Sequence, residues 1–190
     1  MNNKTKNLVG IGLFTAIVVV LQLLGTPLKL GMFSGAVALL PIVVGAAVYG
    51  WQAGAWLGFA FGVTVLLSGD AAPFLAISIP GTIITVLAKG TLCGLVAGLM
   101  YKLLEKKSKV LAVYTAAIAG PVVNTGVFLI GCRLFFFEAL ASWNAGLETP
   151  FGSTVAYMFL GLAGINFLAE LGTSILLTPV ITRLVKIGKK

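Results

Sequence analysis

The sequence predicts an all-α membrane protein of six transmembrane helices, with both termini in the cytoplasm. Composition is the first reason: 59% of the 190 residues are hydrophobic and only 9% are charged, against about a quarter charged in soluble domains. Mean hydropathy is +1.09, so the chain lacks the polar surface that a soluble fold of this length needs. Apolar runs approaching the ~20 residues that cross a bilayer recur along it. Lysines and arginines gather at a few points between those runs, which is how topology signals look.

Span one runs from about Leu8 to Leu24 and stops at the Gly-Thr-Pro of residues 25–27. Its start, MNNKTK, has the charge of a signal peptide. No small-x-small cleavage pattern follows, and the rest of the chain is also membrane-spanning, so an uncleaved helix is expected. Gly10, Gly12 and Ala16 lie along this start, Gly12 and Ala16 at the small-xxx-small spacing that lets another helix approach closely. Span two runs from about Met32 to Val48, with Pro41 inside it. The stretch YGWQAG, residues 49–54, has two glycines and interfacial aromatics, and it separates span two from span three, about Ala53 to Leu67. Span three is short, about 22 Å at the helical rise; it tilts little or continues irregularly into SGDAAPF. Span four covers about Ile77 to Leu104, span five about Val110 to Phe136, and span six about Val155 to Val185. Span six is long enough for its ends to protrude from the bilayer. No polar linker divides the chain, so one domain over residues 1–190 is expected.

Six spans place Lys4 and Lys6, then Lys102, Lys106, Lys107 and Lys109, then Arg183, Lys186, Lys189 and Lys190 on one side, which the positive-inside rule assigns to the cytoplasm. The other side holds Lys29 and Arg133 with Asp70, Glu138 and Glu148. Its loops are GTPLKLGMFSG, SGDAAPF and FFFEALASWNAGLETPFGS. The last is long and aromatic, which predicts a short interfacial helix or a lid.

The net charge of +8 does not mark a nucleic-acid binder, because the charges cluster at a few points between apolar runs. The chain has no histidine, which excludes histidine metal sites and histidine-based triads. No Walker, GxSxG or HExxH motif occurs, so no enzyme, cofactor or metal is expected. Cys93 and Cys132 lie in apolar runs and read as buried thiols.

Two charges fall inside spans, where insertion scales put the cost of a central Lys or Asp at roughly 2.5–3.5 kcal/mol. Lys89 lies about 13 Å in from Pro80, and Glu170 about 22 Å into span six. On the plainer reading they pair and fix helix packing. On the other, Lys89 faces a water-accessible cavity and meets an anionic ligand group, while Glu170 orients Lys89 or accepts a ligand hydroxyl or amide. Asn124, beside Thr125 in PVVNTGVFLIG, and Asn166, one turn before Glu170, fall at a depth comparable to Lys89. An ammonium and two amides at one level fit a small-molecule site, or else interhelical hydrogen bonding. Thr85 and Thr82 share the face of Lys89. Arg133 near the outer mouth would attract anions or contact headgroups. Trp143 and Tyr157 would cover the site or sit in the interfacial belt.

With these residues in place, the chain resembles an S component, the substrate-binding membrane subunit of an energy-coupling factor (ECF) transporter. ALLPIVVGAAVYGWQAGAWLGFAFGVTVLLSGD is similar to that family's second and third spans, and PVVNTGVFLIG to its fifth-span asparagine motif. The resemblance implies a protein that binds a vitamin or related micronutrient from outside without hydrolysing ATP. It implies docking with a membrane scaffold subunit and two cytoplasmic ATPases, toppling to deliver the ligand, and a place in the bacterial plasma membrane. The family's AxxxA docking motif corresponds to Gly12-x-x-x-Ala16, with glycine departing from alanine. The implied ligand site comprises Lys89, Asn124, Asn166 and Glu170, under a first loop containing KLGMFSG. A lysine favours a carboxylate or phosphate; pantothenate fits, and a lipoate-like or nicotinate-like acid remains open. Few aromatics at site depth in spans four to six argue against a large flat ring. The competing readings are a stand-alone secondary transporter or channel for a small anionic solute, and an enzyme of lipid metabolism. The first lacks a visible internal repeat and the second lacks a nucleophile and base.

Overall fold

The structure, a computed structural model, describes residues 3–25 and 36–188. Lys29, the expected start of span two at Met32, nearly all of the loop GTPLKLGMFSG, and Lys189 and Lys190 lie outside the described residues. Within them the chain is helical, with no strand. The helices are α1 Asn3–Gly25, α2 Ala36–Tyr49, α3 Trp51–Leu67, α4 Ala72–Leu75, α5 Ile79–Leu104, α6 Lys109–Phe135, α7 Phe137–Ala145, α8 Thr154–Ala156 and α9 Ile165–Gly188. A π-helical stretch, Tyr157–Gly164, joins α8 to α9 without a break.

Four helices are long and apolar enough to cross a membrane: Lys4–Gly25, Ile79–Leu104, Lys109–Phe135 and the continuous Thr154–Gly188. Two more, Ala38–Tyr49 and Trp51–Leu67, are apolar but shorter. At the helical rise, α2 and α3 are about 21 and 25 Å long, less than the ~30 Å hydrocarbon core. Serines set the starts of the long helices. Ser78 Oγ accepts the Gly81 N–H at 3.3 Å and Ser108 Oγ the Leu111 N–H at 3.3 Å, each supplying a partner to a first-turn donor.

The apolar character of α2 has no preferred face because the helix is buried all round. Leu39, Ile42, Val43, Val44, Ala46 and Ala47 are all buried, and α2 packs against α1, α3, α5, α6 and α9. The closest pairing is α3 with α5, and glycines allow it. A Cβ on Gly58 would run into the Gly90 carbonyl, one on Gly54 into the Gly94 carbonyl, and each reciprocal addition would do the same. With no side chains between them the two backbones meet, the close approach that small residues permit between membrane helices. The α2–α3 turn rests on Gly50 at φ 95°, a conformation costly for other residues.

The outer helices carry their apolar side chains outward. Leu8 on α1 and Leu176 on α9 are 72% and 78% exposed. In water such faces would aggregate; on long apolar helices they are the surface a bilayer covers. In the loop before span six, where a short interfacial helix or a lid is expected, a short helix, α7, forms. Asn144 closes the return from it: its Nδ2 donates to the Phe151 carbonyl at 3.0 Å and its Oδ1 accepts the Phe151 N–H at 2.9 Å.

Candidate functional site

A cavity of about 350 Å³ lies among α3, α5, α6 and α9, with α1 and α4 at its edge. Thr82, Thr85, Val86 and Lys89 enter it from one face of α5, spaced three and four apart as a single helical face requires. Asn124, Thr125 and Phe128 enter from α6, Leu162 and Ala163 from the π-helical stretch, and Asn166 and Glu170 from α9.

Asn124 and Glu170 join α6 to α9. Asn124 Nδ2 donates to Glu170 Oε2 at 3.2 Å and stands 3.5 Å from Oε1. A carboxylate only accepts, so the amide nitrogen faces it and the amide oxygen is turned aside. Asn124 Oδ1 and Thr85 Oγ1 are buried and find no hydrogen-bond partner. Thr85 also presses on Gly131, where a Cβ would collide with it, and this contact draws α5 and α6 together beside the cavity.

Lys89 and Glu170 line the same cavity, and no ion pair within 4 Å joins them. The Lys89 ammonium instead stands over the Phe128 ring, 5.5 Å from its centroid, within cation–π range. Asn166 is exposed, and its Nδ2 donates back to the Leu162 carbonyl at 3.4 Å.

Five expected ligand residues, Lys89, Thr85, Asn124, Asn166 and Glu170, thus border one cavity. The sixth, Arg133, does not. It is exposed, with its guanidinium 4.1 Å from the centroid of the Phe137 ring, because the last turn of α6 points it past the cavity toward α7. Trp143 and Tyr157 do not border the cavity either; they pack on Phe74 and Phe151, with ring centroids 5.8 and 5.7 Å apart.

The structure adds residues that the sequence reading missed. Phe61 from α3, Phe74 from α4, and Phe128 and Phe136 at the end of α6 give the cavity an aromatic wall. The expectation of few aromatics concerned spans four to six, which supply two of the four; the other two come from elements outside those spans, so the case against a large flat ring does not carry over to the whole cavity. Phe74 is its keystone, edge-on to Phe128 at 5.5 Å and to Phe136 at 5.1 Å. Gln22 of α1, only 2% exposed, donates from Nε2 to Asp70 Oδ2 at 2.6 Å, and both border the cavity. A glutamine inside the run VVVLQLLG was the available signal.

The π-helical stretch also lay beyond sequence reading. Its wider turn replaces the i→i+4 bond with i→i+5, and such segments are frequent at functional sites. Gly12 and Ala16, the expected docking pair, are both exposed on α1, and a Cβ on Gly12 would meet nothing within 4 Å. A second cavity of about 340 Å³ lies at the other end of α5, beneath the α2–α3 turn, and includes Tyr49, Trp51, Tyr101 and Lys102. None of the expected site residues reaches it.

A family model described as ECF transporter, substrate-specific component, matches residues 6–182. No curated protein matches the chain, and no solved structure matches it.

Proposed function

The chain belongs to the substrate-specific components of ECF transporters, and from that premise we propose that it captures a small, water-soluble, vitamin-like anion in the cavity around Lys89. The family makes it a membrane transporter component that works with an ECF module. The observation that carries the ligand class is a lysine on an apolar helix that borders a 350 Å³ cavity and forms no ion pair within 4 Å among the described residues. An ammonium in low-dielectric surroundings is costly alone, and a ligand carboxylate or phosphate is the natural complement. Pantothenate, with one carboxylate, hydroxyls and an amide, suits Lys89 together with Thr85, Asn124, Asn166 and Glu170. Arg133, outside the cavity, would act at most as an attractor for the incoming anion.

In this reading all six apolar helices belong to one transmembrane domain over residues 1–190, with both termini in the cytoplasm of a bacterial cell. Ligand enters from the outer side. The bare Gly12–Ala16 face of α1 receives the scaffold subunit, two ATPases supply the energy, and the protein topples to release its cargo inward.

Mass spectrometry of small molecules retained by the purified protein tests the ligand class directly. An anionic micronutrient is expected, and retention of a neutral or purely cationic compound would count against the reading. Uptake in cells that lack the ATPase subunits should be absent; persistence would favour a stand-alone transporter.

A further inference from the structure

We infer that the cavity is built for a dipolar ligand, one that carries an N–H or ammonium donor for Glu170 as well as the anionic group for Lys89, on an apolar or aromatic body. The inference rests on the ligand-cavity reading above and narrows its substrate class. A lysine and a glutamate that share one partly open cavity between apolar helices attract each other more strongly than they would in water, because the surrounding dielectric is lower. Left to themselves they would pair. Here they do not: Lys89 leans over Phe128, and Glu170 is held on the α6 side by Asn124 Nδ2. The two opposite charges border one space without closing into an ion pair, which leaves room for a ligand with a group for each.

A simple anion completes only half of this arrangement. It would satisfy Lys89 and bring a second negative charge toward Glu170, a like-charge contact that disfavours binding. A simple cation has the opposite defect. A molecule with both groups satisfies the two ends at once. Asp70 also borders the cavity, and the neutral Gln22 amide that donates to it does not cancel a carboxylate's charge, so it too favours a ligand that carries a positive or N–H group. The aromatic wall of Phe61, Phe74, Phe128 and Phe136 leaves the rest of the ligand apolar. At about 30 Å³ of liquid volume per water, the space corresponds to on the order of a dozen waters, enough for a ring or short chain between the two charged contacts.

Three probes with one phenyl body separate the possibilities: phenylalanine with both charges, 3-phenylpropionate with only the acid, and phenethylamine with only the amine. Each is added at millimolar concentration to the full-length protein in lipid nanodiscs, and binding is read by thermal shift and calorimetry. Phenylalanine is expected to bind at least tenfold more tightly than either single-charge probe. In Glu170→Gln that advantage over 3-phenylpropionate should fall below about threefold, and in Lys89→Met the advantage over phenethylamine should do the same. If 3-phenylpropionate equals phenylalanine on the unmodified protein, the dipolar inference is overturned while the anion reading stands. If phenethylamine is preferred, both fall. If none of the three binds, the dipolar inference is overturned, and the anion reading is judged separately by the retained small molecule. The comparison on the unmodified protein decides the matter even if a variant fails to fold.

Discussion

Asn124 on α6 donates its side-chain amide to Glu170 on α9 at 3.2 Å, and this bond ties the two helices together at the wall of the cavity. Asn124→Leu removes the donor and strands a carboxylate in apolar surroundings. Leaving such a partner unsatisfied costs about 1–3 kcal/mol, so thermal stability in nanodiscs should fall by several degrees. Asn124→Asp should be worse, because it sets two carboxylates face to face. Adding Glu170→Gln to Asn124→Leu should recover part of the loss, since a neutral amide is less costly to bury. Equal stability of single and double variants would show that the bond has no structural weight.

Lys89 supplies the second prediction. A hydrogen bond to a charged group contributes about 1.5–3 kcal/mol, and each 1.4 kcal/mol is tenfold in affinity. Lys89→Ala should therefore weaken binding of an anionic ligand by more than tenfold. The protein should remain folded, because the side chain faces a cavity and its removal breaks no ion pair within 4 Å. Calorimetry with the retained small molecule measures the first effect and gel filtration the second. Unchanged affinity would make Lys89 a structural residue.

The glycine seam gives a paired stability test. Gly58→Ala drives a methyl group into the Gly90 backbone, and backbone cannot rotate away as a side chain can. Overpacking of this kind costs about 1–3 kcal/mol or more. Gly12→Ala, with open space around the new methyl, should be neutral or slightly stabilising, because alanine is the better helix former. Thermal unfolding of the two variants side by side should separate them clearly; similar midpoints would mean that α3 and α5 do not meet as closely as described.

Much of this was legible in the sequence, for identifiable reasons. Helical rise is constant, so counting residues from loop ends placed Lys89, Asn124 and Asn166 at similar depths on separate helices, and all three border one cavity. Span five was expected over Val110 to Phe136 and forms as Lys109–Phe135, since its charged flank and Ser108 cap are both local signals. The aromatic wall was not legible. Phe61 and Phe74 lie far from Phe128 in sequence, and only the folding of the α3–α5 connection brings them together. The π-helical stretch was equally hidden, because YMFLGLAG has the composition of an ordinary apolar helix and hydropathy carries no hydrogen-bond register. That Arg133 does not border the cavity was not legible either, because depth alone does not say which way a last-turn side chain points.

Gln22 and Asp70 lead to a fourth prediction. The bond between them fastens the end of α1 to the segment after α3, next to Gly69 at φ 88°. Gln22→Leu removes the donor and keeps the bulk. Amide exchange in residues 69–76 should accelerate several-fold, as local opening becomes easier, while exchange in the middle of α5 should not change. Uniform acceleration across the chain would instead mean that Gln22 supports the whole bundle.

The last prediction separates docking from capture. Ala16 lies exposed on α1, one turn from Gly12, and neither residue borders the ligand cavity. If this face receives the scaffold subunit, its use depends on smallness, since helix backbones must approach within side-chain length. Ala16→Leu adds three carbons to a surface that lipid tolerates equally well, so the isolated protein should fold and bind ligand as before. Transport with the complete ECF module should fall by more than tenfold, and copurification of the scaffold should be lost. Ala16→Gly should retain both. If Ala16→Leu abolished ligand binding as well, the face would be part of the fold's support; if it left transport intact, the scaffold would have to dock elsewhere on the bundle.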